Sequence, residues 1–267
     1  MTIKLYWCRG AGRSDRTKQN FGDYLSPLIV ELLSGRKVEY ASIKKADMMA
    51  IGSILPRLDK SKKFKVFTRK MHVWGAGTNT RNILIPGKHY YHAVRGKYSL
   101  SQINNSSAEV ALGDPGLLAV LLSDKCKPAN PKRLGVIPHF LDKNNSKILE
   151  ILTSEPSSKI IDVYDKPEKV ISEVRGCDFI LSSSMHGLIM ADAFEIPNVR
   201  AVFRPDDINS FKFEDYYSIY DDVEPSMIDF SSKESSSTLD YDIVKEKYTR
   251  NNLLEIRKSL LASFPRL

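Results

Sequence analysis

The chain has 267 residues, 42% of them hydrophobic and 27% charged, the balance of a globular protein with material for one large or two modest cores. Its formal net charge of +8 turns it toward anionic partners: nucleic acid, anionic lipid or a phosphorylated substrate. Three separated cysteines, Cys8, Cys126 and Cys177, give neither a disulfide framework nor a paired-thiol zinc site, and they suit a reducing compartment. The N-terminal MTIKLYWCRG lacks a signal-peptide core and no apolar run reaches about 18 residues, so a cytoplasmic protein without a membrane span is expected.

Ile3–Trp7 reads as a strand. Arg9, Arg13, Arg16 and Lys18 crowd the loop after it, at a strand end, where α/β proteins bind ligands. A helix over 23–33 follows and stops at Gly35; Ser26-Pro27 suits an N-cap and first helical position, with Asp23 as the other cap candidate. Strands recur at 48–51, 65–67, 72–74, 90–94 and 110–112, with a short helix over 99–104 before the last. The basic run from Lys60 to Lys70 reads as a solvated face or a membrane-surface patch. Asp114-Pro115 opens another helix through Leu122. The polar, twice-prolyl stretch 125–132 reads as an interdomain linker.

The second half keeps the same rhythm. Strands are expected at 133–137, 159–163, 179–181 and 199–202, and helices at 146–153, 167–174 and 185–194. After a polar loop at 231–237, a long amphipathic helix over 241–264 carries Leu253, Ile256, Leu260 and Phe264 on one face. Alternating strands and helices predict parallel sheets with right-handed crossovers. The expected architecture is therefore α/β: two Rossmann-like domains, 1–124 and 125–267, facing a cleft, with the last helix packing back across both.

Four segments place small or polar residues where a strand gives way to a helix, the natural anion site of such folds. Asn20-Phe21-Gly22-Asp23 offers a close-approach glycine between two polar side chains. Residues 74–79 (WGAGTN) look like half a dinucleotide fingerprint, but the third glycine would fall at Arg81 and no acidic ribose partner lies about 20 residues on. A tight turn lining a cleft is the simpler reading. Gly113-Asp114-Pro115-Gly116 is explained mostly as a helix cap. The fourth segment, Ile180 to Leu188, runs a strand into Ser182, Ser183 and Ser184, then His186 in the first helical turn. Serine hydroxyls and free N–H groups there suit phosphate or carboxylate, and His186 suits acid–base work. No metal constellation, G-x-S-x-G elbow or P-loop is present in the sequence.

Taken together, NFGDYLSP (20–27), GSIL (52–55), VWGAGTN (73–79), VRGKYSLSQI (94–103), GDPGLL (113–118), LGVIPHF (134–140), SSSMHGLIMADAFEIPN (182–198) and FKFEDYYS (211–218) resemble the polysaccharide pyruvyl transferase family. The family is similar in fold to two-domain GT-B glycosyltransferases. The resemblance implies transfer of the enolpyruvyl carbons of phosphoenolpyruvate onto two sugar hydroxyls, giving a ketal and releasing phosphate. It implies no metal or other cofactor, phosphoenolpyruvate being a co-substrate. The acceptor would be a glycan or its lipid-linked precursor, at the cytoplasmic face of a membrane, for an exopolysaccharide or capsule. No nucleic acid is expected, since no nucleic-acid motif accompanies the basic runs. Ser184 and His139 stand where many members carry basic groups.

The residues expected at the site follow from motif and chemistry together. His186 is the main acid–base group, with Asp23 or Asp114 acting on the acceptor hydroxyl and Asn20 bonding the sugar. Arg95, His139, Ser183, Ser184, Lys212 and Tyr216 are the donor-side candidates; a guanidinium at Arg95 suits bidentate grip of a carboxylate or phosphate. Three rivals remain: a GT-B-type glycosyltransferase using a nucleotide sugar, a non-catalytic anionic-ligand or nucleic-acid-binding protein, and a dehydrogenase resting on Gly75 and Gly77 alone.

Overall fold

The computed structural model describes residues 2–10, 18–58, 70–104, 109–207, 210–221, 227–232, 244–246 and 248–267. The expected strand 65–67, most of the basic run 60–70, Arg13 and Arg16, and most of the polar loop 231–237 lie outside the described residues.

Two parallel sheets organise the chain. In the first, β1 (Ile3–Tyr6), β2 (Val38–Tyr40), β3 (Met48–Met49), β4 (His72–Ala76), β5 (Tyr90–Val94) and β6 (Ala111–Leu112) lie in the order β2-β1-β3-β4-β5-β6. In the second, β7 (Lys132–Ile137), β8 (Ser158–Ile160), β9 (Cys177–Ser182), β10 (Asn198–Val202) and β11 (Met227–Asp229) lie in the order β11-β10-β9-β7-β8. Both sheets start one strand in from an edge and build outward in two directions. Strand order therefore reverses between β1 and β3 in one sheet and between β7 and β9 in the other. Such reversals leave a crevice at the carboxyl ends of the strands.

The helices are α1 (Phe21–Ser34), α2 (Lys97–Ser101), α3 (Ser146–Ser154), α4 (Pro167–Arg175), α5 (Met185–Ala193), α6 (Phe211–Tyr217) and α7 (Leu253–Ala262). One apolar cluster joins the halves: Leu5, Phe21 and Leu25 from the first share it with Ile137, Val170 and Leu188 from the second. The Phe21 N–H also donates to the Val163 carbonyl at 2.8 Å. Residues 125–132 lie against α4, where the Ala129 N–H donates to the Ser172 carbonyl at 2.9 Å.

Several element bounds depart from the sequence reading, each for a local reason. α1 starts at Phe21 because Asn20 caps it, its Oδ1 accepting from the Gly22 N–H at 3.0 Å. Pro27 consequently lies inside the helix, and the Ser26 hydroxyl accepts from the Ile51 N–H at 3.2 Å instead of capping. The segment Pro115–Lys125 winds as a 3-10 helix, not an α-helix, between α1 and α5; a Cβ on Gly116 would come within 2.8 Å of Ile189. The long helix expected over 241–264 is helical at 244–246 and in α7, whereas 248–252 are not helical. There Tyr248 and Arg250 both reach Asp192, at 3.1 and 3.0 Å, and these tertiary bonds hold the chain out of helical register. α7 then lies on β6 and the 3-10 segment, with Arg257 bonded to the Leu117 and Ala193 carbonyls. Among the described residues no helix is long and apolar enough to cross a membrane.

Candidate functional site

A cleft of about 270 Å³ opens where both crevices meet. Cys8, Asn20, Asp23, Ser53, Arg57 and Asn79 line it from the first sheet, and His139, Tyr164, Ser184, His186 and Lys212 from the second. Every one of these follows the carboxyl end of a strand.

His186 stands in the first turn of α5, whose N-cap residue Ser184 makes no side-chain capping bond. Ser184, Met185 and His186 line the cleft, which places the positive end of the helix dipole beside it, while the Gly187 N–H is bonded to the Ser184 carbonyl at 3.0 Å. The imidazole is pinned from the opposite half: His186 Nδ1 lies 3.1 Å from Asn20 Oδ1, which also accepts from the Gly22 N–H. An amide oxygen only accepts, so Nδ1 carries the ring proton and Nε2 is the basic nitrogen. Nε2 is shielded from water and has no hydrogen-bond partner among the described residues. Burial, then the charges of Arg95, Lys212 and His139, push the His186 pKa down to about 3. The imidazole is therefore neutral, with the Nε2 lone pair unengaged by any described residue. Gly22 makes this possible, because a Cβ there would meet His186 Cγ at 2.0 Å.

Asp23, in the first turn of α1, lines the cleft and has no side-chain hydrogen bond among the described residues. Desolvation, and secondarily the nearby Asp114 charge, raise its pKa to about 7. Asp114 does not line the cleft. It is fully buried, capping the 3-10 segment through Oδ1 and the Gly116 N–H at 2.9 Å, while Oδ2 has no partner among the described residues. Desolvation raises its pKa to about 6 despite that bond and the Arg95 charge. Two carboxyls whose protons are held near neutrality thus stand as neighbours, one facing the cleft and one behind it.

The cationic side is uneven. Lys212 and Arg57 line the cleft without an ion-pair partner among the described residues. Burial lowers the Lys212 pKa, with Asp207 opposing and Arg200, Arg95 and Arg204 reinforcing the shift. Arg95 does not reach the cleft surface. It is fully buried, with Nε 2.9 Å from Asp215 Oδ2, Nη1 2.8 Å from Ser53 Oγ, and Nη2 on the Thr78 carbonyl. Its ring-flat guanidinium fits beneath the 74–79 turn only because residue 77 is glycine, where a Cβ would lie 2.3 Å from Arg95 Cζ. Gly75, at φ 84, faces Pro115 in the same way, at 2.0 Å. These contacts account for both glycines without a dinucleotide.

Other expected site residues are placed as supports. Ser183 is buried, donating to Asp142 Oδ2 at 2.6 Å and accepting from the His139 N–H at 2.8 Å. Arg204 closes that brace on Asp142 Oδ1 at 2.5 Å. His139 lines the cleft, its pKa lowered to about 4 by burial and then by Lys212. Tyr216 is fully buried with its hydroxyl on Asp192 Oδ2 at 2.6 Å, away from the cleft. Sequence reading passed over Arg57, Ser53 and Tyr164, because nothing in the chain's pattern marks which loop residues turn inward. Asn20, Asp23, His139, Ser184, His186 and Lys212 are brought together; Arg95, Asp114, Ser183 and Tyr216 lie behind them.

Comparison with known proteins bears on what this cleft serves. The family model described as polysaccharide pyruvyl transferase matches residues 20–202, a span that includes Asn20, Asp23 and His186 and stops short of Lys212. An uncharacterized protein of Acanthamoeba polyphaga mimivirus is 34% identical over 141 residues, 48% of this chain and 47% of that protein. The succinoglycan biosynthesis protein ExoV of Rhizobium meliloti (strain 1021) is 25% identical over 201 residues, 74% of this chain and 60% of that protein. The chain spans about half to three fifths of the length of these curated relatives. No solved structure matches it significantly.

Proposed function

The chain belongs to the polysaccharide pyruvyl transferase family, and from that premise we propose that it builds a pyruvate ketal on a sugar, with phosphoenolpyruvate as donor. The acceptor would be a glycan or lipid-linked oligosaccharide on the way to an exopolysaccharide or capsule, handled in the cytoplasm or at the inner membrane face. In this reading the chain divides near residue 124 into an acceptor-side and a donor-side domain in the GT-B manner.

One observation carries the reading: a helix N-terminus without a side-chain cap, a neutral His186 whose Nε2 has no partner among the described residues, and two cations, Lys212 and Arg57, without an ion-pair partner among them meet at one cleft. Phosphoenolpyruvate brings a phosphate and a carboxylate, and such a site favours both. Lys212, Arg57, Ser184 and the first-turn N–H groups of α5 hold the donor. Its negative charge offsets the Arg95 and Lys212 charges, which add to burial in keeping His186 neutral, and so raises the histidine's proton affinity. His186, loaded in this way, protonates the methylene carbon, which becomes the methyl group. Asp23, with a pKa near 7, takes the proton of the first sugar hydroxyl as its oxygen bonds to the central carbon. The carbon–oxygen bond to phosphate then breaks, and inorganic phosphate leaves with that electron pair. The second hydroxyl adds to the same carbon and gives its proton to phosphate or water. Asn20 holds the imidazole, and Arg95 acts from beneath through Ser53 and through its charge.

The test is phosphate release from phosphoenolpyruvate with candidate acceptors, together with thermal stabilisation by the donor. His186→Gln should cut turnover by about 100-fold or more, the usual worth of a positioned acid–base group. Absence of both donor stabilisation and phosphate release across acceptors refutes the reading, and stabilisation by nucleotide sugars alone would replace it with glycosyl transfer.

A further inference from the structure

A second cavity, of about 510 Å³, lies beside the cleft and plays no part in the chemistry above. Adjacent residues line the two: Asn79 and Lys212 face the cleft, while Arg81 and Phe211 face the second cavity. Its floor is aromatic. The Arg81 guanidinium lies 4.4 Å from the Phe211 ring centroid, and the Tyr98 ring meets Phe211 at 5.7 Å, tilted by 38°. Arg81 is fixed there by Glu214, whose two carboxylate oxygens it meets at 2.7 and 2.5 Å. Tyr98 is 45% exposed and Leu84 59% exposed, leaving flat apolar surface open to solvent. Around it stand amide and hydroxyl side chains: Asn82, Ser101, Gln102 and Asn104. Gln102 donates through Nε2 to the Thr80 carbonyl at 3.2 Å, yet its Oε1 is shielded and has no partner among the described residues. Asn82 holds a left-handed backbone at φ 56, a conformation that tends to gather at binding sites.

We infer that this cavity is a glycan subsite, taking a neutral sugar residue that neighbours the reacting one. A sugar ring offers a flat C–H face for the Tyr98 ring and a rim of hydroxyls for amides that both donate and accept. The charge argues the same way. The one cation lining the cavity among its named residues is already paired, so an acidic ligand would find no free positive partner, in contrast to the cleft. A nucleobase could stack on the ring, but its phosphates would need the cations that this cavity lacks. The inference rests on the acceptor being a sugar chain, as proposed above, and it adds that the protein reads more than the ketalised residue.

The test is direct binding by calorimetry and saturation-transfer NMR, using cello-, manno- and galacto-oligosaccharides of two to six sugars and the matching monosaccharides. Wild-type protein should bind at least one oligosaccharide series about tenfold more tightly than its monosaccharide. Tyr98→Ala should lose that advantage, and Gln102→Ala should lose part of it. Both substitutions lie at a partly open surface, and unchanged stabilisation by phosphoenolpyruvate reports that the fold and donor site are intact. Equal oligosaccharide affinity in Tyr98→Ala, or no affinity for any series in the wild-type protein, overturns the subsite. Binding without donor stabilisation or phosphate release would keep the subsite and refute the pyruvyl-transfer reading.

Discussion

Gly22→Ala is the sharpest probe of the His186 assignment, because it adds a single methyl group outside the reacting atoms. A Cβ at residue 22 would lie 2.0 Å from His186 Cγ and 2.1 Å from Nδ1, whereas ordinary contact begins at 3.4 Å. His186 Cβ would be met as well, at 2.4 Å, so the whole side chain must retreat with its backbone, by about 1.4 Å at the ring, the difference between 3.4 and 2.0 Å. That movement breaks the 3.1 Å contact with Asn20 which fixes the ring's tautomer and direction. A misplacement of about 1 Å commonly costs about 100-fold in rate, so kcat/KM in the phosphate-release assay should fall about that far. The fold should suffer much less. Overpacking costs about 1–3 kcal/mol, offset by about 1 kcal/mol from alanine's better helix propensity. The net loss, at most about 2 kcal/mol, lowers Tm by no more than about 4–8 °C. Near wild-type turnover in Gly22→Ala would show that the pinned imidazole is not the group doing the chemistry.

Two further substitutions separate reacting from supporting groups. The folded-state pKa of Asp23 is raised, so the fold prefers its neutral form; the cost of ionising it is absent below the unfolded value near 4, grows as pH rises, and is complete above about 7. Asp23→Asn should therefore gain Tm relative to wild type as pH is raised from 4 to 8 while losing the activity limb near pH 7, and a pH-independent Tm difference would contradict the placement. Arg95→Lys keeps the charge but cannot serve Asp215, Ser53 and the Thr78 carbonyl together; breaking a buried pair of this kind costs about 3 kcal/mol, or about 6–12 °C in Tm. Its donor KM, measured below the melting range, should stay within about threefold of wild type, and a large rise would place Arg95 in contact with the donor.

The α/β rhythm was legible because most strands are short apolar runs bounded by caps and turns. Tyr90–Val94 stands at the expected residues, and β7, β9 and β10 differ by a residue or two. β2 and β11 escaped notice because they are edge strands of three residues with largely exposed side chains, so no apolar signal marks them. The FKFEDYYS segment was expected near the cleft, but not as α6; its helix presents Phe213, Asp215 and Tyr216 inward and leaves Lys212 at the cleft. That partition depends on which face packs, and seven residues give too short a period to read. The site was legible where one motif supplied both cap and ligand, as at Asn20 and His186. It was not legible where charge was decisive. Nothing in the order of residues tells a buried, fully bonded arginine such as Arg95 from an open one such as Arg57.

The distinction matters for how the cleft works as a whole. Serine stands at residue 184, two positions before His186, and its side chain neither caps α5 nor brings charge. Positive potential comes instead from different depths: Lys212 and Arg57 at the surface, Arg95 beneath it and Arg204 behind Asp142. A buried cation held by a carboxylate exerts its field without being consumed by ligand, and it needs no reorganisation when the ligand arrives. The cost is a histidine kept neutral, first by burial and then by the charges of Arg95 and Lys212. Donor charge offsets the cationic part of that opposition, so under the proposed reaction the imidazole becomes a better acid with the donor in place. Protonation is thereby tied to occupancy, and the cleft is prevented from spending its proton on water.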